Sequence, residues 1–309
     1  MLRVDEVIEE RLSTDVPLVR EVAQYIISSG GKRLRPALLL LVSGALGSLH
    51  PHRHTLAAVV EFIHTATLLH DDVVDESTLR RGRETANERF GNAASVLVGD
   101  FLYSRAFQMM VSVDNMRVMQ VLSEATNVIA EGEVMQLMNM HDASLDETAY
   151  LRVIRSKTAK LFEASARLAP ILAGADAETE ALCATYGQAL GTAFQVVDDV
   201  LDYEGDRELL GKNLGDDLRE GKVTLPIICA LRTASEEQKT LIRNAIAQGD
   251  QTHLEEIQSI IQTSGALELA RASASAEAQR AIEAARALPA NEYSGALLEL
   301  ATGLLGRRS

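Results

Sequence analysis

An all-α protein is what this sequence predicts, on three observations. Only six prolines occur in 309 residues, while Ala, Leu, Glu and Gln, good helix formers all, are abundant. No stretch alternates apolar and polar residues with the period of a half-buried strand. Helix-start signals recur, and Ser144-Leu145-Asp146-Glu147 reads as a capping box, a hydroxyl followed three residues later by a glutamate. Length alone would suggest two domains, but two acidic motifs, Asp71–Asp75 and Asp198–Asp202, must face one cavity. A single domain over residues 1–309 is therefore expected, a bundle of roughly a dozen helices around that cavity.

Along the chain, the paired glycines of Gly30-Gly31 mark a loop, and the run from Pro36 to Gly47 is the longest apolar stretch. It is too short to span a bilayer and reads as a core helix. Thr65–Leu69 leads into Asp71-Asp72-Val73-Val74-Asp75, with Phe62 and Ile63 one turn earlier as core. Seven of the eight methionines fall between Met109 and Met140, where an apolar helix pair around Val118–Met140 is expected. Thr192–Val197 leads into Asp198-Asp199-Val200-Leu201-Asp202, and the Ala/Ser/Glu-rich stretch from Ala266 to Ala287 reads as exposed helix.

Composition narrows the function. Hydrophobic residues at 47% supply an ample core. A net charge of −14 excludes a nucleic-acid partner, because binding a phosphate backbone needs a basic surface. Cys183 and Cys229 have no CxxC partner and read as small buried apolar residues of a reducing compartment. Met1-Leu2-Arg3-Val4-Asp5-Glu6 lacks the apolar stretch of a signal peptide, so a cytoplasmic protein is expected.

The two acidic motifs carry the chemistry. On a helix, i and i+4 share a face, so Asp71 stacks with Asp75 and Asp198 with Asp202. Carboxylates grouped that way repel one another, and the helix dipole disfavours them at the end of an apolar run. Their spacers are Val-Val and Val-Leu, which argues against a solvated acidic face. The cation this arrangement calls for is Mg²⁺, which keeps several waters and completes its shell with substrate phosphates.

Basic residues stand beside each motif. Arg80-Arg81-Gly82-Arg83 follows the first after a short loop, Lys212 and Lys222 follow the second, and Gly30-Gly31-Lys32-Arg33-Leu34-Arg35-Pro36 forms a third cluster. Glycines let a backbone approach a ligand closely, and arginine forks match phosphate oxygens. Together they describe a site for two phosphorylated substrates.

With those residues in place, the chain resembles the trans-isoprenyl diphosphate synthase (polyprenyl synthetase) family, and within it the long-chain, octaprenyl branch. The resemblance runs from Gly30 to about Lys222 and its motifs are specific in combination. It implies that Asp71, Asp72, Asp75, Asp198, Asp199 and Asp202 bind two to three Mg²⁺ ions shared with an allylic diphosphate. It implies further that Arg80, Lys157, Thr158, Gln195, Lys212 and Lys222 contact that diphosphate, with Lys157 and Lys212 counted among the catalytic groups. Lys32, Arg35, His64 and Arg81 would form the isopentenyl diphosphate pocket. The reaction implied is a head-to-tail 1′-4 condensation of isopentenyl diphosphate onto an allylic primer, farnesyl diphosphate being the expected one. The product would be octaprenyl diphosphate for a quinone side chain.

A growing apolar chain must extend away from the metals. Thr67 and Ala66, four and five residues before Asp71, line the top of that tunnel and are small, so nothing plugs it there. Met135 and Met138, sharing a helix face, are either its floor or ordinary packing. A homodimer is expected, as is transient membrane contact for release of the apolar product.

Other readings exist. His70-Asp71-Asp72 with His64 and His54 suggests a His-Asp metal phosphohydrolase, which leaves the second motif and the Gly-Gly-Lys cluster unexplained. A terpene cyclase would not need a second diphosphate pocket, and a non-catalytic synthase subunit would have lost some of these residues. A hepta- or nonaprenyl product remains open. His50, His52 and His141 have no ligand-like context, and Arg307-Arg308 either folds over the diphosphate site or forms a solvated tail.

Overall fold

The computed structural model describes residues 1–204, 215–249 and 252–306. Lys212, Arg307 and Arg308 lie outside the described residues. The helices are α1 (Leu2–Arg11), α2 (Pro17–Ser28), α3 (Leu34–Ala45), α4 (Arg53–Val74), α5 (Ala86–Phe90), α6 (Asn92–Val111), α7 (Met116–Met138), α8 (Glu147–Ile154), α9 (Lys160–Ala173) and α10 (Ala177–Glu204). They continue as α11 (Asp216–Arg219), α12 (Leu225–Thr233), α13 (Glu236–Gln248), α14 (Leu254–Thr263), α15 (Ala266–Arg286) and α16 (Glu292–Leu304). The all-α expectation is met. Among the described residues the one β element is a ribbon of two-residue strands, Leu79–Arg80 paired antiparallel with Arg83–Glu84.

Local chemistry explains where these helices start. Pro17 opens α2 at a position whose N–H has no helical partner. The Asn115 side chain caps α7 by accepting from the N–H groups of Arg117 and Val118. The start expected near Ser144–Glu147 is present, but the cap is Asp146, whose carboxylate accepts from Ala149 N at 2.8 Å. Ser144 instead donates to Asp142. A carboxylate suits the positive end of the helix dipole as well as forming the hydrogen bond, so Asp146 displaces the hydroxyl.

α4 is the hub. Leu56–Ile63 is buried all round, Phe62 and Ile63 completely, and α4 packs on α6, α3 and α1 in one apolar cluster. α10 packs most extensively on α15 and α9. This corrects the exposed reading of 266–287: Ala266, Ala270, Ala274, Ala278, Ala281 and Ala285 form a buried stripe. Alanines at helical spacing leave room for two backbones to approach, and such a stripe hides its apolar face behind a polar composition. The helix pair expected around Val118–Met140 is one continuous helix, α7. Cys183 and Cys229 are buried and unpaired. No described helix is long and apolar enough to cross a membrane.

Candidate active site

α4 and α10 both end at the acidic motifs, and two lysines from elsewhere draw the site together. Lys157 Nζ lies 3.7 Å from Asp71 Oδ2 and 2.6 Å from Glu133 Oε2 on α7. Lys222, from beyond the second motif, donates to Asp75 Oδ2 at 2.8 Å and lies 2.6 Å from Glu220. Burial lowers the proton affinity of Lys222, but the charges of Asp75 and Glu220 outweigh it and push the ammonium well above its ordinary range. Burial also raises Asp71, with Lys157 opposing, and pushes Glu133 up to about 7. A group of carboxylates is therefore held at one cavity by two ammonium groups.

The adjacent aspartates do something else. Asp72 is fully buried, and Arg80 clamps it with Nε and Nη2 at 2.9 and 2.6 Å from Oδ1. Asp199, 4% exposed, accepts from the Tyr150 hydroxyl and from Gln195 Nε2 at 2.7 Å. Burial, reinforced by Asp217, raises Asp199 well above the carboxylate range. All six aspartates are expected to ligate metal; in this structure Asp72 is engaged by Arg80, and Asp199 by Tyr150 and Gln195. Successive helical residues are about 100° apart, so Asp72 turns away from Asp71 and Asp199 from Asp198, toward Arg80 and toward Tyr150 and Gln195. Asp71 and Asp75, and one turn apart on α10 Asp198 and Asp202, are the half-buried ones. Hard carboxylate oxygens of that kind fit Mg²⁺ when phosphate and water complete the shell.

The ribbon after α4 explains how two consecutive arginines serve different places. Its turn puts Arg81 and Gly82 at φ 53° and 73°, the twist a two-residue hairpin needs. Arg80, the last strand residue, then reaches back onto Asp72, while Arg81, in the turn, reaches the carbonyl of Gly30. Arg35 Nη1 lies 3.1 Å from His64 Nε2 and its guanidinium stacks over Phe162 at 4.4 Å. Burial, then the surrounding arginines, hold His64 well below its ordinary range, so the ring is neutral. Burial lowers Arg35 to about 10, with Glu61 and Asp198 opposing. Arg35, His64 and Arg81 thus gather at the loop that carries Lys32, whose side chain is exposed.

Lys157 and Thr158 sit in a π-helical turn, Arg155–Ala159, between α8 and α9. Such turns concentrate at functional sites because they re-aim side chains. This one fits because α7 and α10 offer glycines: a Cβ on Gly132 would stand 2.6 Å from Lys157 N, and one on Gly191 2.7 Å from the Ala159 Cα. Thr158 Oγ1 donates to Gln195 Oε1 at 3.0 Å, so the Gln195 amide links Thr158 to Asp199. Gly132→Ala is expected to displace Lys157 and lower kcat/KM for the allylic substrate about 10²-fold, since ångström shifts near reacting groups cost that much. Steady-state kinetics at saturating second substrate check this; an unchanged value means the turn yields elsewhere.

A cavity of ≈ 130 Å³ opens beside this network, with Lys157, Gln195, Asp199 and Lys222 on its polar side and Val153, Ile154 and Val223 on its apolar side. Ala66 is buried in the core below Asp71, and Thr67 is half-buried, its hydroxyl donating to His64 O. Met135 is half-buried and Met138 exposed, so of the two expected floor residues only Met135 is covered by this chain. Both follow Glu133 toward the C-terminal end of α7, level with or beyond Lys157, and Met138 is 77% exposed. Of the histidines in the phosphohydrolase reading, His64 is engaged by Arg35, and His70 turns to α6, stacking on Tyr103 3.2 Å from Val96 O. His141 anchors the loop before Lys222, its N–H donating to Gly221 O and its ring meeting Ile246 O.

Glu133, Tyr150, Glu220 and Glu61 were missed by sequence reasoning. Glu133 and Tyr150 lie on single-copy helices with no repeat to flag them; a glutamate directly after the helical Gly132 was the one faint signal.

The model of the family described as Polyprenyl synthetase matches residues 16–264. The chain is 53% identical over 302 residues to octaprenyl diphosphate synthase of Escherichia coli (strain K12), covering 97% of this chain and 94% of that one. It is 47% identical over 305 residues to an all-trans-nonaprenyl-diphosphate synthase (geranyl-diphosphate specific) of Rhodobacter capsulatus, covering 98% and 94%. The crystal structure of a Caulobacter crescentus CB15 polyprenyl synthase complexed with calcium and isoprenyl diphosphate superposes with a TM-score of 0.96 at 44% identity, covering 99% of this chain and 94% of that one.

Proposed function

Because the chain belongs to the polyprenyl synthetase family, we propose that it is a long-chain all-trans polyprenyl diphosphate synthase, a single all-helical domain that adds isopentenyl diphosphate to an allylic diphosphate. Farnesyl diphosphate is the primer and octaprenyl diphosphate, for a quinone side chain, the main product. One observation carries the reading: Lys157 and Lys222 each pair with an aspartate of the first motif while lining a cavity with Asp199 of the second.

Each residue then has a task. The hard step breaks an allylic C–O bond, leaving a carbocation and a diphosphate. Asp71, Asp75, Asp198 and Asp202 would hold Mg²⁺, which when bound would supply Lewis-acid neutralisation of the leaving diphosphate. Lys157, Lys222 and Arg80 supply preorganised positive charge on its other sides. Lys32, Arg35, His64 and Arg81 hold isopentenyl diphosphate, and a neutral His64 accepts from Arg35 without adding repulsion. The apolar helix below Asp71 keeps water from the cation, and the released diphosphate takes the last proton.

Apolar side chains exposed on α6 and α7, Val96, Leu97, Phe107, Val111, Leu137 and Met138, support a homodimer through that face. The enzyme is cytoplasmic in this reading and meets a membrane only to release its apolar product.

Incubation with farnesyl diphosphate, excess isopentenyl diphosphate, Mg²⁺ and detergent, followed by mass spectrometry, is expected to give octaprenyl diphosphate. Hydrolysis without condensation would overturn the reading. In the same assay Ala66→Phe is expected to shorten the dominant product, because the ring would enter the path below Asp71. Overpacking that site also costs about 1–3 kcal/mol, visible in a thermal melt. Full-length product from a folded Ala66→Phe enzyme would move the tunnel elsewhere.

A further inference from the structure

Two charges, one half-buried and one buried, remain without a task. Arg33 belongs to the basic loop but to neither diphosphate pocket, and Glu61 is a carboxylate on α4 exposed by only 7%. They form an ion pair with each other, and the same Arg33 guanidinium reaches the Ile27 carbonyl on α2 through Nη2 at 3.3 Å. The backbone around Arg33 is unusual. Gly30 and Gly31 take φ 85° and 147°, and Arg33 itself, immediately before α3, has φ 49°. A residue with a Cβ stays in that region only when its surroundings hold it there.

α4 holds this loop at two points. Glu61 takes Arg33, and His64, three residues later on the same helix face, takes Arg35. Lys32 immediately precedes the first of these anchors. We propose that the Arg33–Glu61 pair is a staple that fixes residues 30–35 so that Lys32 and Arg35 meet isopentenyl diphosphate, with Glu61 a positioning residue and Arg33 no ligand. This rests on the assignment of that loop to isopentenyl diphosphate. The charge of Arg33 is already answered by a buried carboxylate, and a diphosphate drawing it away would strand Glu61 unpaired.

The sign of one kinetic change separates the two roles. Glu61→Gln keeps the shape and removes the charge. If Arg33 is a staple, KM for isopentenyl diphosphate rises on the order of tenfold, while KM for the allylic substrate stays within about twofold. If Arg33 is a ligand, freeing it leaves that KM unchanged or lowers it, which overturns the proposal. An equal rise in both KM values overturns it too, as general damage. The double variant Arg33→Gly/Glu61→Gln leaves no unpaired charge and gives the loop a residue at ease at φ 49°, so it serves where the single variant does not fold; a normal KM there overturns the staple. Lys32→Ala tests the underlying assignment. A raised KM for isopentenyl diphosphate in Lys32→Ala beside a normal one in Glu61→Gln removes the staple alone, whereas a normal KM in Lys32→Ala removes the pocket and the staple together.

Discussion

Asp71→Asn is expected to lower turnover by on the order of 10²–10³-fold, the usual loss when one preorganised electrostatic partner of a transition state is removed. Fold stability is expected to hold. Asp71 sits half-buried within a cluster of carboxylates, and burial already disfavours its charge. Its cationic neighbour, Lys157, keeps Glu133 at 2.6 Å, so the substitution strands no charge. Asp75→Asn should behave alike, since Lys222 keeps Glu220 at 2.6 Å. Turnover at saturating Mg²⁺, with thermal midpoints measured without metal, checks both halves. Near-normal turnover in Asp71→Asn would remove Asp71 from the metal-binding set.

Asp72→Ala, one residue along, is expected to lose about 3–5 kcal/mol of stability, the cost of breaking a buried ion pair by deleting one partner. Asp72 is fully buried, and Arg80, with 23% of its side chain exposed, spends both Nε and Nη2 on it. Removing the carboxylate leaves the guanidinium uncompensated and the ribbon that carries it unbraced. Turnover falls as well, through the loss of Arg80 from the diphosphate site. Urea denaturation is the check. A midpoint as high as that of the parent, together with lost activity, would restore Asp72 to the role of direct ligand. Two neighbouring aspartates of one motif thus differ in kind, one failing in rate and the other first in stability.

Much of the fold was legible in the sequence. Propensity and the lack of alternation pointed to helices, and the apolar runs before each acidic motif located α4 and α10 at the right ends. Alanine-rich α15 was misjudged, because a composition of Ala, Ser and Glu looks solvated until another helix lies against its alanines. The cap of α8 was misplaced by two residues, since both Ser144 and Asp146 satisfy the local rule and the choice depends on what else each can bond.

The site divides along the same line. Which residues stack with which along a helix follows from a rise and a rotation per residue that every α-helix shares, so the pairing of Asp71 with Asp75, and of Asp198 with Asp202, is a property of the sequence by itself. So is the supply of cations next to each motif. Tertiary structure alone decided that Asp72 belongs to Arg80, that Asp199 belongs to Tyr150 and Gln195, and that Glu133 and Glu220 brace the two lysines. Those partners come from other helices, and no local spacing encodes which helices pack together or at what height.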